Sequence, residues 1–233
     1  RISMSRVSIT TAAMSSAYCR NPIKANALPS ETRSTGRLIL VVGPSGAGKD
    51  SLIDAARTRF AGDARVVFAR RSITRPADAG GEDHEALSVD DFENRRKSAA
   101  FMLHWQAYGL LYGIPVRYRE AIDAGKAVVA NVSRMVLNEA RRHFAKVSVL
   151  HVTAAPETIA GRIAARGREN GEQATARLRR AVATVPTGED VVTIVNDSTL
   201  AEAAASFEQA ILWALDSTPE RQTQTRHGQT KLA

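Results

Sequence analysis

The 233-residue chain is 44% hydrophobic and 24% charged, enough for one main core with tails, and no apolar run approaches membrane-spanning length. The net charge of +8 would permit a nucleic-acid partner, but aromatic residues are only 5% and no basic-aromatic module appears, so anionic small molecules account for the charge and neither nucleic acid nor membrane is expected as a partner. A single cysteine, Cys19, excludes an internal disulfide and fits a reducing, cytoplasmic setting.

Residues 1–35 carry Ser, Thr, Ala and Arg, no acid before Glu31 and no sustained period, and are expected to form a disordered extension. Their make-up superficially resembles an organelle transit peptide; with Arg1 first and Met4 and Met14 as later candidate starts, an overlong start is the preferred reading. The apolar run 38–42 predicts a first strand over 37–42. Directly behind it stands Gly43-Pro44-Ser45-Gly46-Ala47-Gly48-Lys49-Asp50, with the G-x-x-x-x-G-K spacing of a phosphate loop. Glycines at these points let successive N–H groups face an anionic oxygen cluster while Lys49 reaches the β and γ phosphates. The helix predicted over 49–60 adds its N-terminal partial charge. ATP with Mg²⁺ is the expected ligand. The residue after the lysine is Asp50 rather than Ser or Thr, and Ser51 follows; both are candidate metal contacts, since a carboxylate beside phosphates makes sense only with Mg²⁺ between them.

Further along, a strand is predicted over 66–69. It leads into Arg70-Arg71-Ser72-Ile73-Thr74-Arg75-Pro76 and Gly80-Gly81-Glu82-Asp83-His84, where guanidinium forks and hydroxyls suit a second phosphate-bearing substrate. Ser72, Arg75 and His84 are the candidates, the plain alternative being a solvated basic loop. Helices are predicted over 89–98, with Ser88 as N-cap and acids in the first turn, and over 116–124. Then come a strand over 127–131, a helix over 134–144 and a strand over 147–152. Helices over 156–166 and 172–183 carry Arg162, Arg166 and Arg177, the preferred catalytic cations of a mobile lid that closes over transferring phosphate. A strand over 191–195 ends at Asn196-Asp197, candidates to meet a nucleotide base or ordinary turn residues, and a helix follows over 200–215. Residues 216–233 read as a flexible tail. Alternating strands and helices over 36–215, with no internal repeat, predict an α/β domain with a parallel sheet covered on both faces. Ligands of such sheets lie beyond the carboxyl ends of the strands, where the phosphate loop and Asn131 both fall.

The order of phosphate loop, Thr74-Arg75-Pro76, Tyr112-Gly113, Arg162-x-x-x-Arg166-Gly167-x-Glu169 and Asn196-Asp197 resembles the guanylate-kinase-like branch of the P-loop nucleoside monophosphate kinases. A closer resemblance is to the ribose 1,5-bisphosphate phosphokinases of bacterial phosphonate degradation. It is carried by Gly43 through Ser51, Thr74-Arg75-Pro76, Glu82-x-His84-x-Ala86-Leu87-Ser88, Trp105, Gly109-x-x-Tyr112-Gly113, Asn131-x-Ser133-Arg134 and Arg166-Gly167-Arg168-Glu169-Asn170. The resemblance implies the P-loop NTPase fold with a substrate-binding insertion and a helical lid, adds Tyr112 and Asn131 to the acceptor site, and leaves room for a homodimer. It implies the small-molecule substrates ATP and ribose 1,5-bisphosphate.

The departures from guanylate kinases argue against a guanine acceptor. The acid that would read the base is missing from Phe101-Met102-Leu103-His104, a hydroxyl is replaced by Ile114, and an acid at the end of the 127–131 strand by Asn131. The family's second phosphate-binding arginine is replaced by Ala77-Asp78, and its phosphate-binding tyrosine by His84. In the implied reaction an already ionised phosphate oxygen attacks ATP, so positioning and charge neutralisation suffice. A nucleoside monophosphate kinase is the alternative. A non-enzymatic interaction domain, which predicts a damaged loop and a depleted lid, is less favoured.

Overall fold

The computed structural model describes residues 36–79, 82–165 and 185–217. In chain order these form β1 (Arg37–Val42), α1 (Lys49–Arg59), β2 (Val66–Phe68), β3 (Ser72–Ile73), β4 (Glu85–Ala86), α2 (Val89–Lys97), β5 (Phe101–Ala107), β6 (Leu110–Pro115), α3 (Arg117–Asp123) and β7 (Ala127–Asn131). A 3-10 turn (Arg134–Val136) then enters α4 (Leu137–His143), followed by β8 (Val147–Thr153), α5 (Pro156–Ala165), β9 (Val191–Val195) and α6 (Leu200–Asp216).

The five strands predicted from apolar runs are the main sheet, in the order β2-β7-β1-β8-β9 and parallel throughout. Parallel sheets need cover on both faces, and β1 is buried along its whole length. Alternation sends Ile39 and Val41 to one side, against Leu52 and Phe60 at α1 and Phe207 and Ile211 of α6. Leu38, Leu40 and Val42 face the other side with Ile122 of α3, Leu137 of α4, and Leu103, Trp105 and Ile114 of the second sheet.

Local chemistry sets the helix starts. Ser88 Oγ accepts from the Asp91 N–H at 3.0 Å, as its N-cap assignment requires. The start of the predicted 134–144 helix is a tighter turn, because Ser133 Oγ accepts from Met135 N–H and the chain forms a 3-10 turn before α4 begins. Thr199 and Glu202 close a capping box at α6. The predicted helix over 172–183, the extension over 1–35 and residues 218–233 of the tail lie outside the described residues.

The second sheet, β4-β3-β6-β5, has no counterpart among the sequence-predicted strands. β5 and β6 are an antiparallel hairpin in which Ala107 pairs with Leu110, so only Tyr108 and Gly109 make the turn, both at positive φ (52° and 76°). Trp105 and Tyr112 pair across it with stacked rings, 5.3 Å between centroids and 4° apart. Gly113 lies beneath the Phe101 ring: a Cβ there would stand 2.5 Å from a ring carbon. Gly113→Ala is expected to cost about 1–3 kcal/mol through overpacking. A lowered denaturant midpoint with an unchanged slope reports it; an unchanged midpoint would mean that the hairpin shifts freely.

Candidate active site

The phosphate loop leaves β1 at the carboxyl edge of the sheet and closes on its own cation. Lys49 Nζ donates to the Gly43 and Pro44 carbonyls at 2.9 and 2.8 Å, so the loop is shaped around an ammonium before any ligand enters. Burial pushes that ammonium down from the usual lysine value to about 8; Asp50 and Glu82 oppose the shift, and the Arg71 and Arg134 charges add to it. Gly48 caps α1 at φ 85°, and a Cβ there would lie 2.3 Å from Asn196 Nδ2. That amide is the loop's brace, donating to the Ala47 carbonyl at 2.8 Å. Asn196, a candidate to meet a base, is a residue only 3% exposed, with this amide nitrogen engaged inside the protein. Asp197 likewise accepts from the Ala155 N–H at 2.8 Å.

At the next strand end, Asn131 stands opposite Val41 and donates to Asp50 Oδ1 at 2.9 Å, fixing the carboxylate on the first turn of α1. Asp50 and Asn131 line a small cavity with Asp54, Arg57, Glu82 and Asp83. Ser51 is exposed on the same turn. No group of three or more His, Cys, Asp or Glu among the described residues is arranged to hold a metal by itself. A single oriented carboxylate fits Mg²⁺ held mainly by nucleotide phosphates and water.

The acceptor candidates divide into two sets. Ser72 is fully buried and donates a hydrogen bond to Glu85 at 2.6 Å, while Arg95 holds the other Glu85 oxygen at 2.7 Å. His84, 4% exposed, is also internal: Nε2 lies 3.1 Å from the Arg75 carbonyl, and Nδ1 lies 3.0 Å from the Glu82 carbonyl and 3.2 Å from the Arg75 guanidinium. Both are acceptor candidates by sequence, and in the structure Ser72 is engaged with Glu85 and His84 with Arg75. Arg75 Nε is buried without a hydrogen-bond partner among the described residues, so this guanidinium retains an unspent donor. Tyr112 is half-buried against Trp105, which raises its phenol pKa.

Arg162 projects from α5 to the phosphate loop. Its Nη1 would lie 3.7 Å from a Cβ on Gly48, and it is buried without a hydrogen-bond partner among the described residues. Arg166 and Arg177 lie outside the described residues. Residue type alone assigns no role to Arg71 and Glu82, which form a bidentate ion pair beside Tyr112, or to His151. His151, opposite Val42 in β8, is 4% exposed, and its pKa is lowered by burial and by the charges of Arg134 and Lys49. Arg71 was visible as a cation at the start of the acceptor segment; nothing in an apolar run marks His151 as facing the loop.

The guanylate kinase family model matches residues 35–214. The chain is 47% identical over 182 residues to a protein named ribose 1,5-bisphosphate phosphokinase PhnN from Acidiphilium cryptum (strain JF-5), covering 78% of this chain and 96% of that one. It is 45% identical over 179 residues to a bifunctional ribose 1,5-bisphosphokinase-thymidine phosphorylase from Cupriavidus pinatubonensis (strain JMP 134 / LMG 1197), covering 77% of this chain and 30% of that protein, so the chain spans under a third of the longer relative. Among solved structures, a guanylate kinase from Anaplasma phagocytophilum superposes with a TM-score of 0.58 at 17% identity, covering 80% of this chain and 89% of that one, a likeness of fold. The chain belongs to the guanylate kinase family and, within it, to the ribose 1,5-bisphosphate phosphokinases.

Proposed function

We propose that the protein transfers the γ-phosphate of ATP to the C1 phosphate of ribose 1,5-bisphosphate, forming 5-phosphoribosyl 1-diphosphate and ADP in the cytoplasm. The observation that carries this reading is the cross-strand pair Leu103 and Ile114, both fully buried. The family's guanine-reading acid is expected at Leu103 or His104 and its hydroxyl at Ile114, and neither buried hydrocarbon nor an imidazole supplies the carboxylate that a guanine edge needs.

The chemistry asks for charge control more than proton transfer. The attacking phosphate oxygen is already ionised near neutral pH, so no general base is required. Gly43 to Lys49 hold the donor phosphates through loop N–H groups and the ammonium, and Arg162, with its unspent Nη1 beside the loop, stabilises charge on the transferring group together with Arg166 and Arg177. Arg75, steadied by His84, holds the acceptor phosphate, and Tyr112 walls the acceptor site. Asp50, oriented by Asn131, and Ser51 beside it would hold Mg²⁺; when bound, the ion neutralises the β and γ phosphates.

Incubation with ATP, Mg²⁺ and either ribose 1,5-bisphosphate or GMP, followed by phosphorus NMR, tests the reading. The diphosphate product is expected from the sugar, and efficient turnover of GMP would overturn the assignment.

The buried ammonium supplies a pH signature. Lys49 in the free protein loses its proton near pH 8, whereas a bound triphosphate favours the charged form. Nucleotide binding between pH 8 and 9 should therefore take up a proton, read by calorimetry in buffers of different ionisation heat. Lys49→Ala should abolish the uptake and lower turnover roughly a hundredfold or more; near-normal turnover would remove the loop from the chemistry. Asp50→Asn should raise the Mg²⁺ concentration for half-maximal rate more than it changes KM for the acceptor. An unchanged Mg²⁺ titration would leave Asp50 without a metal role.

A further inference from the structure

Arg71 and Glu82 are covered ion-pair partners, with side chains 12% and 17% exposed, whereas the neighbouring Arg70–Asp83 pair is 47% and 62% exposed. The contact is a fork: Nε donates to Glu82 Oε2 at 2.7 Å and Nη2 donates to Oε1. The guanidinium carbon also lies 5.3 Å from the Tyr112 ring centroid and 6.0 Å from that of Trp105, against the stacked pair of the β5–β6 hairpin. Two aromatic faces and a carboxylate thus hold one planar cation, in the geometry by which arginine grips phosphate.

Glu82 sits poorly by comparison. It lines the small cavity beside the phosphate loop with Asp50, Asp54 and Asp83, so four carboxyl groups border one space to which Arg57 adds the single lining cation. Like charges so grouped repel, and anionic substrates entering the cleft would add to the repulsion. A covered pair of this kind gains little net stability, since desolvation offsets attraction. The arginine is fixed by rings as well as by its partner; the carboxylate is held chiefly by the arginine.

Arg71 flanks β3 on one side and Arg75 on the other. Four residues of extended chain, about 13 Å at most, separate their Cα atoms, within side-chain reach of a doubly phosphorylated pentose. We propose that Arg71 receives the second phosphate of the acceptor, the one not attacked, and that Glu82 occupies this fork as a carboxylate placeholder until the substrate displaces it. This rests on the ribose 1,5-bisphosphate reading and adds the residue that tells a bisphosphate from a monophosphate.

Calorimetry without ATP or Mg²⁺ tests the placeholder, titrating ribose 1,5-bisphosphate and ribose 1-phosphate into the wild type, Arg71→Gln and Glu82→Gln. Arg71→Gln should weaken the bisphosphate roughly a hundredfold and leave the monophosphate within about twofold, so that discrimination collapses, with ATP affinity unchanged. Glu82→Gln should bind the bisphosphate several-fold more tightly, because the fork no longer faces a competing charge. A purely structural pair would give the same loss in both variants. Unchanged or weaker bisphosphate binding in Glu82→Gln overturns the proposal, as does an equal loss of both sugars in Arg71→Gln. If Arg71→Gln fails to fold, the Glu82→Gln titration decides alone. A wild type that binds the bisphosphate without phosphorylating it would sink the proposed activity and leave Arg71 to be judged on these titrations; a wild type that does not bind it would sink both.

Discussion

Everything at the rim depends on the burial of β1 between β7 and β8. The strand has cover on both faces and hydrogen-bonded neighbours on both edges, so its register is fixed by the whole core. Parallel pairing brings three carboxyl ends to one edge. The phosphate loop, Asn131 and His151 meet there without a dedicated scaffold, and β9 adds Asn196 from the far side of β8.

The polar groups around that rim form a hierarchy. Asn196 holds the loop, Asn131 holds Asp50, His84 holds Arg75, and Ser72 holds Glu85, each at hydrogen-bond distance. These buried side chains spend their capacity inside the protein, which leaves the groups they steady less freedom to lose when a ligand binds. The same logic separates Arg162 and Arg75, which keep a buried N–H without a partner among the described residues, from neighbouring arginines engaged by carboxylates.

Much of the main sheet is legible in the sequence because its strands are fully buried and read as unbroken apolar runs, as in Leu38 to Val42. The hairpin is less so: Phe101, Leu103 and Trp105 do alternate, but the turn is Tyr108-Gly109 in place of the usual Asn-Gly, and β3 and β4 are two residues each. The site follows the same division. A glycine-lysine spacing has one physical meaning and can be read from the chain. Whether a serine or histidine faces a substrate or a neighbour depends on partners 13 or 9 residues away, as Ser72 with Glu85 and His84 with Arg75 demonstrate, and residue type alone cannot decide it.

At the opposite end of β1, Arg37 is almost completely buried and joins Ser148 of β8 at 2.8 Å and the Ser217 carbonyl just past α6. The first and last described stretches of the core are thereby tied together on the side of the sheet away from the phosphate loop. The base of the sheet is thus closed by a cation engaged within the protein, one strand length from the cleft. β1 therefore runs from a guanidinium committed to the fold at its start to the loop that surrounds the Lys49 ammonium at its end, and one buried strand separates the two positive charges.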